Sequence, residues 1–296
     1  MPNVNLKNHL HLHLIVFIWG FTAILGHLIT LEALPLVFTR IAIGIFVILF
    51  YLLIKKNNLA IAPKDIFRFL IFGFVIALHW LTFFYAIKIS NISITLACLS
   101  TGAFFSSFLE PLFYKRKFIL YEVLLGCLVV VGLLLIFQFE TQYKMGILVA
   151  LTSAFLSASF SIINGKLANT HDSVVISFYE LVGGLFILAC FLFFQGGFTA
   201  ENFNFQPNDY IWLGILGSIC TAYPFIATID IMKYLSPYTV MLTINLEPIY
   251  GILLAVFLFK DQEKMTPAFY FGALIILLTV LLNAYFKNRK KASVLL

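Results

Sequence analysis

Residues 236–259 read SPYTVMLTINLEPIYGILLAVFLF, twenty-four residues with a single charge, Glu247, near their centre. A helix of about 20 apolar residues crosses the hydrocarbon core of a bilayer. This run is long enough to do so, and too uniformly apolar for the alternating strand of an outer-membrane barrel. Similar runs occupy 10–29, 34–54, 66–88, 92–113, 119–138, 144–166, 172–194, 209–231 and 267–286. Across the chain 62% of residues are hydrophobic and 11% are charged, against about half and a quarter in soluble domains. The sequence therefore predicts an all-α integral membrane protein with ten transmembrane helices.

The first run follows a start whose only charged side chain is Lys7, has no small-x-small cleavage site and leads into nine more spans. It reads as a span and not as a cleaved signal peptide. Cys98, Cys127, Cys190 and Cys220 lie singly inside apolar runs, which suits small buried hydrophobes better than disulfides or a zinc site. The net charge of +6 would suggest nucleic acid in a soluble protein. Here the basic residues flank spans, so lipid headgroups are the expected partner and nucleic acid is not.

Loop parity orients the spans. Lys7, Lys55, Lys56, Lys64, Arg68, Lys115, Arg116, Lys117, Lys166, Lys233, Lys287, Arg289, Lys290 and Lys291 fall on one side. Lys88, Lys144, Lys260 and Lys264 fall on the other, and Arg40 lies within a span. The positive-inside rule puts both termini in the cytoplasm of a multi-pass protein of the plasma or inner membrane. The loop 195–208, which has no Lys or Arg, lies outside.

The halves 10–138 and 144–286 resemble each other. Leu125-Gly126-Cys127-Leu128-Val129-Val130 matches Phe271-Gly272-Ala273-Leu274-Ile275-Ile276, and Phe38, Gly44 and Phe46 recur as Phe178, Gly184 and Phe186. Five spans per half is odd, so the second half enters from the opposite face. Two inverted five-helix repeats result, an arrangement that puts a site near the midplane between the halves.

The chain resembles the EamA type of the drug/metabolite transporter superfamily over essentially its whole length. The resemblance is carried by Trp19-Gly20, Arg40, Tyr85-Ala86-Ile87-Lys88, Asn245-Leu246-Glu247-Pro248 and Gly272-Ala273-Leu274-Ile275, in this order and spacing. Two positions depart from the family pattern: Lys115-Arg116-Lys117 replaces the Gly-Glu usual after the fourth span, and Leu278 stands where Gly132 stands in the first half. The resemblance implies a ten-helix metabolite carrier, often an exporter. It implies a cavity lined by spans 1, 3, 4, 6, 8 and 9, with spans 5 and 10 peripheral.

Glu247 is the leading site residue. An acid near the bilayer centre costs about 2.5–3.5 kcal/mol on insertion scales, so it faces a cavity or a partner. Pro248 cannot donate a hydrogen bond to the Ile244 carbonyl, and broken helices at mid-depth are how carriers build polar sites. The alternative is a protonated Glu247 bonded to a neighbouring helix. Asn245 either lines the cavity or bonds between helices. His79 and Trp80 lie in mid-span 3, His79 being either a ligand or proton carrier or a core histidine bonded to one carbonyl. Tyr223, before Pro224 in span 8, is expected opposite them, and Trp19 is expected as another wall. Arg40 and Glu180 are repeat equivalents whose inverted topology disfavours direct pairing. Arg40 either serves the site or snorkels to the interface, and Glu180 is either a coupling charge or a structural hydrogen bonder. Glu110, Glu122 and Asp230 read as interfacial ion pairs. Span 6 carries small residues at every fourth position, with Ser157 and Ser161 either cavity hydroxyls or packing residues. His9, His11 and His13 share no helical face, so no metal is expected there.

There is no phosphate-binding loop, no H-E-x-x-H and no lysine in mid-membrane, so neither a cofactor nor an enzyme is expected. The expected function is secondary active transport of small metabolites by alternating access: amino acids or related compounds, moving outward. A channel is the first alternative, disfavoured by the lack of a repeated filter segment. An intramembrane enzyme built on Glu247 and His79 is the second. Substrate, coupling ion and oligomeric state are not legible.

Overall fold

A computed structural model describes residues 4–56, 59–115, 117–244 and 246–294. Apolar runs in this chain become helices because a helix satisfies every backbone polar group within one segment, as a lipid environment demands. The first half comprises α1 (Val4–Leu28), α2 (Ala33–Lys55), α3 (Pro63–Ile89), α4 (Ile92–Leu99), α5 (Gly102–Tyr114) and α6 (Leu120–Phe139). The second comprises α7 (Lys144–Leu167), α8 (Ser173–Phe194), α9 (Pro207–Gly217), α10 (Tyr223–Ile231), α11 (Pro237–Ile244), α12 (Glu247–Phe259) and α13 (Pro267–Val294). Among the described residues there is no strand.

Among the described residues seven helical stretches are long and apolar enough to cross a membrane. Three shorter apolar helices, Leu124–Phe139, Glu247–Phe259 and Pro267–Thr279, stand where the fifth, ninth and tenth spans are expected. Contacts sort the helix ends into two groups. One holds Asp65 with His171, Ser173 with Asp230 and Gly165 against Pro237. The other holds Lys88 with Ile29, Thr30 with Asp209, Ile92 with Glu263 and Glu140 with Thr266. The chain therefore runs back and forth between two ends, and the basic loops share the first. Outward-facing Phe46, Phe194 and Phe257, 70%, 85% and 77% exposed, form the apolar jacket that lipid would cover. Cys127 is exposed on that jacket, unlike the buried place expected of it.

Glycines set the closest crossings. A Cβ on Gly73 of α3 would overlap the Glu180 carbonyl of α8, and one on Gly183 would overlap the Leu70 carbonyl. Gly132 of α6 and Gly272 of α13 meet so that a Cβ on either falls 2.7–2.8 Å from the other's carbonyl oxygen. Small residues permit such approach in lipid. The repeat is visible in packing: Gly44 of α2 faces Gly217 and Thr221, while its equivalent Gly184 of α8 faces Gly73 and Ala77. Phe46 and its equivalent Phe186 both point outward.

Three expected spans are interrupted. The fourth breaks at Ser100–Thr101, where both side chains turn back onto carbonyls of α4. The eighth carries a π-helical turn, Ser218–Ala222, between α9 and α10. The ninth breaks just before Glu247, with Pro248 in the first turn of α12, where its missing N–H costs nothing.

Candidate functional site

The breaks and the π turn surround one cavity, bordered by α1, α2, α3, the end of α4, α7, α10, α11 and the start of α12. The helices on its wall are those of spans 1, 3, 4, 6, 8 and 9, with Arg40 added from span 2.

Arg40 is 1% exposed, so it does not snorkel to an interface. The reason is a built pocket. Nε donates to Thr221 Oγ1 at 2.6 Å, and the guanidinium lies 4.2 Å from the Trp80 ring centroid and 5.3 Å from that of Phe84. Thr221 is available because the π turn lets its hydroxyl donate to the Leu216 carbonyl while accepting from Arg40. Nη1 is buried and has no hydrogen-bond partner among the described residues. A guanidinium so held presents a planar edge suited to a carboxylate.

Glu247 begins α12, is 5% exposed and lines the cavity. It sits where the helix dipole favours an anion. Its backbone is fixed by Gly20 of α1, on which a Cβ would meet Tyr250 Cβ at 2.9 Å and the Glu247 carbonyl at 3.7 Å. The adjacent Trp19 is thereby set on the cavity wall. His79 also lines the cavity, and its Nδ1 lies 2.9 Å from the Ser153 carbonyl. A carbonyl can only accept, so Nδ1 carries a proton.

Trp19, Arg40, His79, Trp80 and Glu247 thus share one cavity. Asn245 lies outside the described residues. Glu180 is not on the wall; it stands behind Asn164, which is, and accepts from Asn164 Nδ2 at 3.1 Å. No Arg40–Glu180 ion pair occurs among the described residues. Tyr223 is a correction: it is 44% exposed and its hydroxyl lies 2.7 Å from His11 Nε2, away from the cavity. The π turn inserts one residue ahead of it and so rotates the rest of the span by about 100°. Phe225 takes the expected place, 5.8 Å from Trp80. Asp230 pairs with Lys233 at 2.6 Å. Glu110, expected at the interface, is buried, 8% exposed. The side chain of Glu122 lies outside the described residues.

Sequence reasoning missed Thr22, Asn164, Thr221 and Phe225. Asn164 had a usable signal, an amide three residues after Ser161 on a small-residue helix. Phe225 had none among 34 phenylalanines. Ser157 and Ser161 both reach the wall.

Among solved structures 28 chains match. One, described only as the crystal structure of a protein, superposes with a TM-score of 0.66 over 93% of this chain and 95% of its own, at 15% identity. Likeness at that identity speaks for the fold alone. No curated protein matches. The family described as the EamA-like transporter family matches residues 7–138 and 144–285.

Proposed function

The chain belongs to the EamA-like transporter family, within the drug/metabolite transporter superfamily, and from that premise we propose that it carries small zwitterionic metabolites, amino acids or close relatives, by secondary active transport. The family match points to a multi-pass membrane transporter and away from an enzyme. The observation behind the finer reading is one cavity with an unsatisfied guanidinium donor, Arg40 Nη1, and a carboxyl group, Glu247, on its wall. A substrate carboxylate pairs with Arg40 and its ammonium with Glu247, while Trp19, Trp80, Phe160 and Phe225 take up apolar atoms.

In this reading the three short apolar helices complete ten crossings. The halves 10–138 and 144–286 are inverted repeats that rock about the cavity. Both termini are cytoplasmic, and transport is outward, as the family resemblance implies. The lower reaches of the cavity, at Asn164, Met232 and Met241, lie toward the basic end. At the opposite end, carboxylates of Glu140, Asp209 and Glu263 accept from the backbone N–H groups of Thr266, Thr30, Ile92 and Ser93. These tie loops across helices, so the arrangement fits a carrier closed outside and facing the cytoplasm. Membrane lipid is its other partner.

The test uses purified full-length protein. Amino acids, their decarboxylated amines and their deaminated acids are screened by thermal shift, then by counterflow in proteoliposomes. Stabilisation and counterflow with amino acids, but with neither amines nor acids alone, support the reading. Counterflow with amines or acids alone, and none with amino acids, overturns it; unitary conductance instead identifies a channel.

A further inference from the structure

Glu180 lies off the cavity wall and is fully buried. Its Oε2 accepts from Asn164 Nδ2 at 3.1 Å. The remaining oxygens of the same two side chains, Glu180 Oε1 and Asn164 Oδ1, are buried and have no hydrogen-bond partner among the described residues. Both are acceptors when the carboxyl group is ionised, so neither can serve the other. One proton resolves both: on Oε1 it makes a donor, and Oδ1 belongs to the amide already held against that carboxyl group.

We propose that Glu180 and Asn164 form a proton-binding site, separate from Glu247, in which Glu180 carries a proton on Oε1 and Asn164 Oδ1 accepts from it. The carboxylate gains a proton to become a carboxylic acid, no bond in Asn164 breaks, and acid and amide pair through two hydrogen bonds. The proton comes from the cavity, where Asn164 forms part of the wall. Ser161, one turn before Asn164, and Thr228 of α10 also line the cavity, and each has a buried hydroxyl without a partner among the described residues. These hydroxyls can relay a proton through water, whereas the amide cannot give one up.

The titratable groups on elements packed against α8 are engaged elsewhere or exposed. On α2, Arg40 is held by Thr221 and Trp80 and Lys55 is exposed. On α3, Asp65 meets Arg68 and His171, His79 meets Ser153, Lys88 meets the Ile29 carbonyl, and Lys64 is exposed. On α10, Asp230 meets Lys233 and Ser173. On α7, Lys166 is exposed. No ion pair to Glu180 occurs among the described residues, so a proton is the compensation on offer. Since α3 presses its Gly73 backbone onto the Glu180 carbonyl, losing the proton leaves an uncompensated charge in a close three-helix contact and favours its loosening. That link to transport rests on the function proposed above; proton binding itself does not.

The experiment is infrared difference spectroscopy on the reconstituted full chain across neutral pH, in sodium and in potassium. Expected is a protonated carboxyl band that Glu180→Gln removes and Glu247→Gln leaves, the same in both salts. Glutamine keeps an N–H for Asn164 Oδ1, so this variant should fold. If it does not, Asn164→Ala supplies the reading, because an acid whose carbonyl oxygen Oε2 loses the N–H donor of Asn164 shifts its carbonyl band to higher frequency. A band unchanged in either folded variant overturns the site. Sodium-specific stabilisation that Glu180→Gln abolishes, with no protonated band, assigns the site to sodium and also overturns it. No substrate enters the measurement, so a failed transport assay does not decide it.

Discussion

His79 and Ser153 bind each other reciprocally: Nδ1–H of His79 donates to the Ser153 carbonyl at 2.9 Å, and Ser153 Oγ, also 2.9 Å from Nδ1, donates to the His79 carbonyl at 3.0 Å. This reciprocal bond joins α3 of one half to α7 of the other, beside the cavity. Removing the imidazole loses its bond and leaves the Ser153 carbonyl with a buried vacancy, whereas Ser153→Ala leaves the imidazole bond to the backbone intact. His79→Leu should therefore cost about 1–3 kcal/mol and Ser153→Ala about 1 kcal/mol or less. Thermal unfolding in detergent checks the order, and an equal or reversed ranking rejects this account.

The α3–α8 crossing makes a sharper steric prediction. A methyl at Gly73 has no room, because the atom it meets is the Glu180 carbonyl oxygen and backbone cannot swing aside. Gly73→Ala should cost at least the about 1–3 kcal/mol typical of overpacking. Gly214→Ala is the control, since its Cβ meets nothing within 4 Å. Comparable melting temperatures for the two variants would show that the crossing yields more readily than argued.

Arg40→Lys keeps the charge and loses both the planar fork and the stacking on Trp80. KM for the amino acid found by counterflow should rise at least tenfold, with a smaller rise for Trp80→Leu, which leaves the guanidinium in place. Fluorescence or uptake titrations in proteoliposomes check this. An unchanged KM in Arg40→Lys removes Arg40 from the substrate.

The proposed cytoplasmic placement of the basic loops is testable without substrate. A single cysteine at Lys64 should be protected from an impermeant maleimide in intact cells, and one at Asn204 should be modified, in a background lacking native cysteines. The reverse pattern inverts the orientation and with it the assignment of the closed end.

Much of this architecture is legible in the sequence. Run length and charge asymmetry locate the helices and pair their ends, because lipid allows little besides a helix. Glu247, His79, Trp80, Trp19 and Arg40 can be nominated since polar or amphipathic groups at mid-depth need a reason to be there. Rotation about the helix axes is not legible. The π turn at Ser218–Ala222 moves Tyr223 outward and brings Phe225 in, and nothing in Cys220-Thr221-Ala222 announces it. The break at Ser100–Thr101 is equally silent, as serine and threonine there bond to their own helix in either conformation. The fate of Arg40 depends on Thr221, and so on the same unannounced turn.

Glu247→Gln tests the coupling. A carboxyl group on the cavity wall can bind either a proton or a cation, and the empty cavity offers it Arg40 while the loaded one offers the substrate ammonium. On the function proposed above, substrate and proton compete for one carboxylate, and each turn of the carrier would exchange one for the other. Glutamine fixes the uncharged state in nearly the same shape. The fold and one-for-one substrate exchange should persist, although with weaker binding of the ammonium, whereas accumulation driven by an imposed pH gradient should fall to background. Wild-type accumulation should vanish when the gradient is collapsed, and the variant should show no such difference. Wild-type flux must be tested with the same lipid and protein load, since a tenfold loss of inserted carrier would mimic the result. Should Glu247→Gln still concentrate substrate with unchanged pH dependence, Glu247 is a wall residue and the coupling resides elsewhere in the bundle.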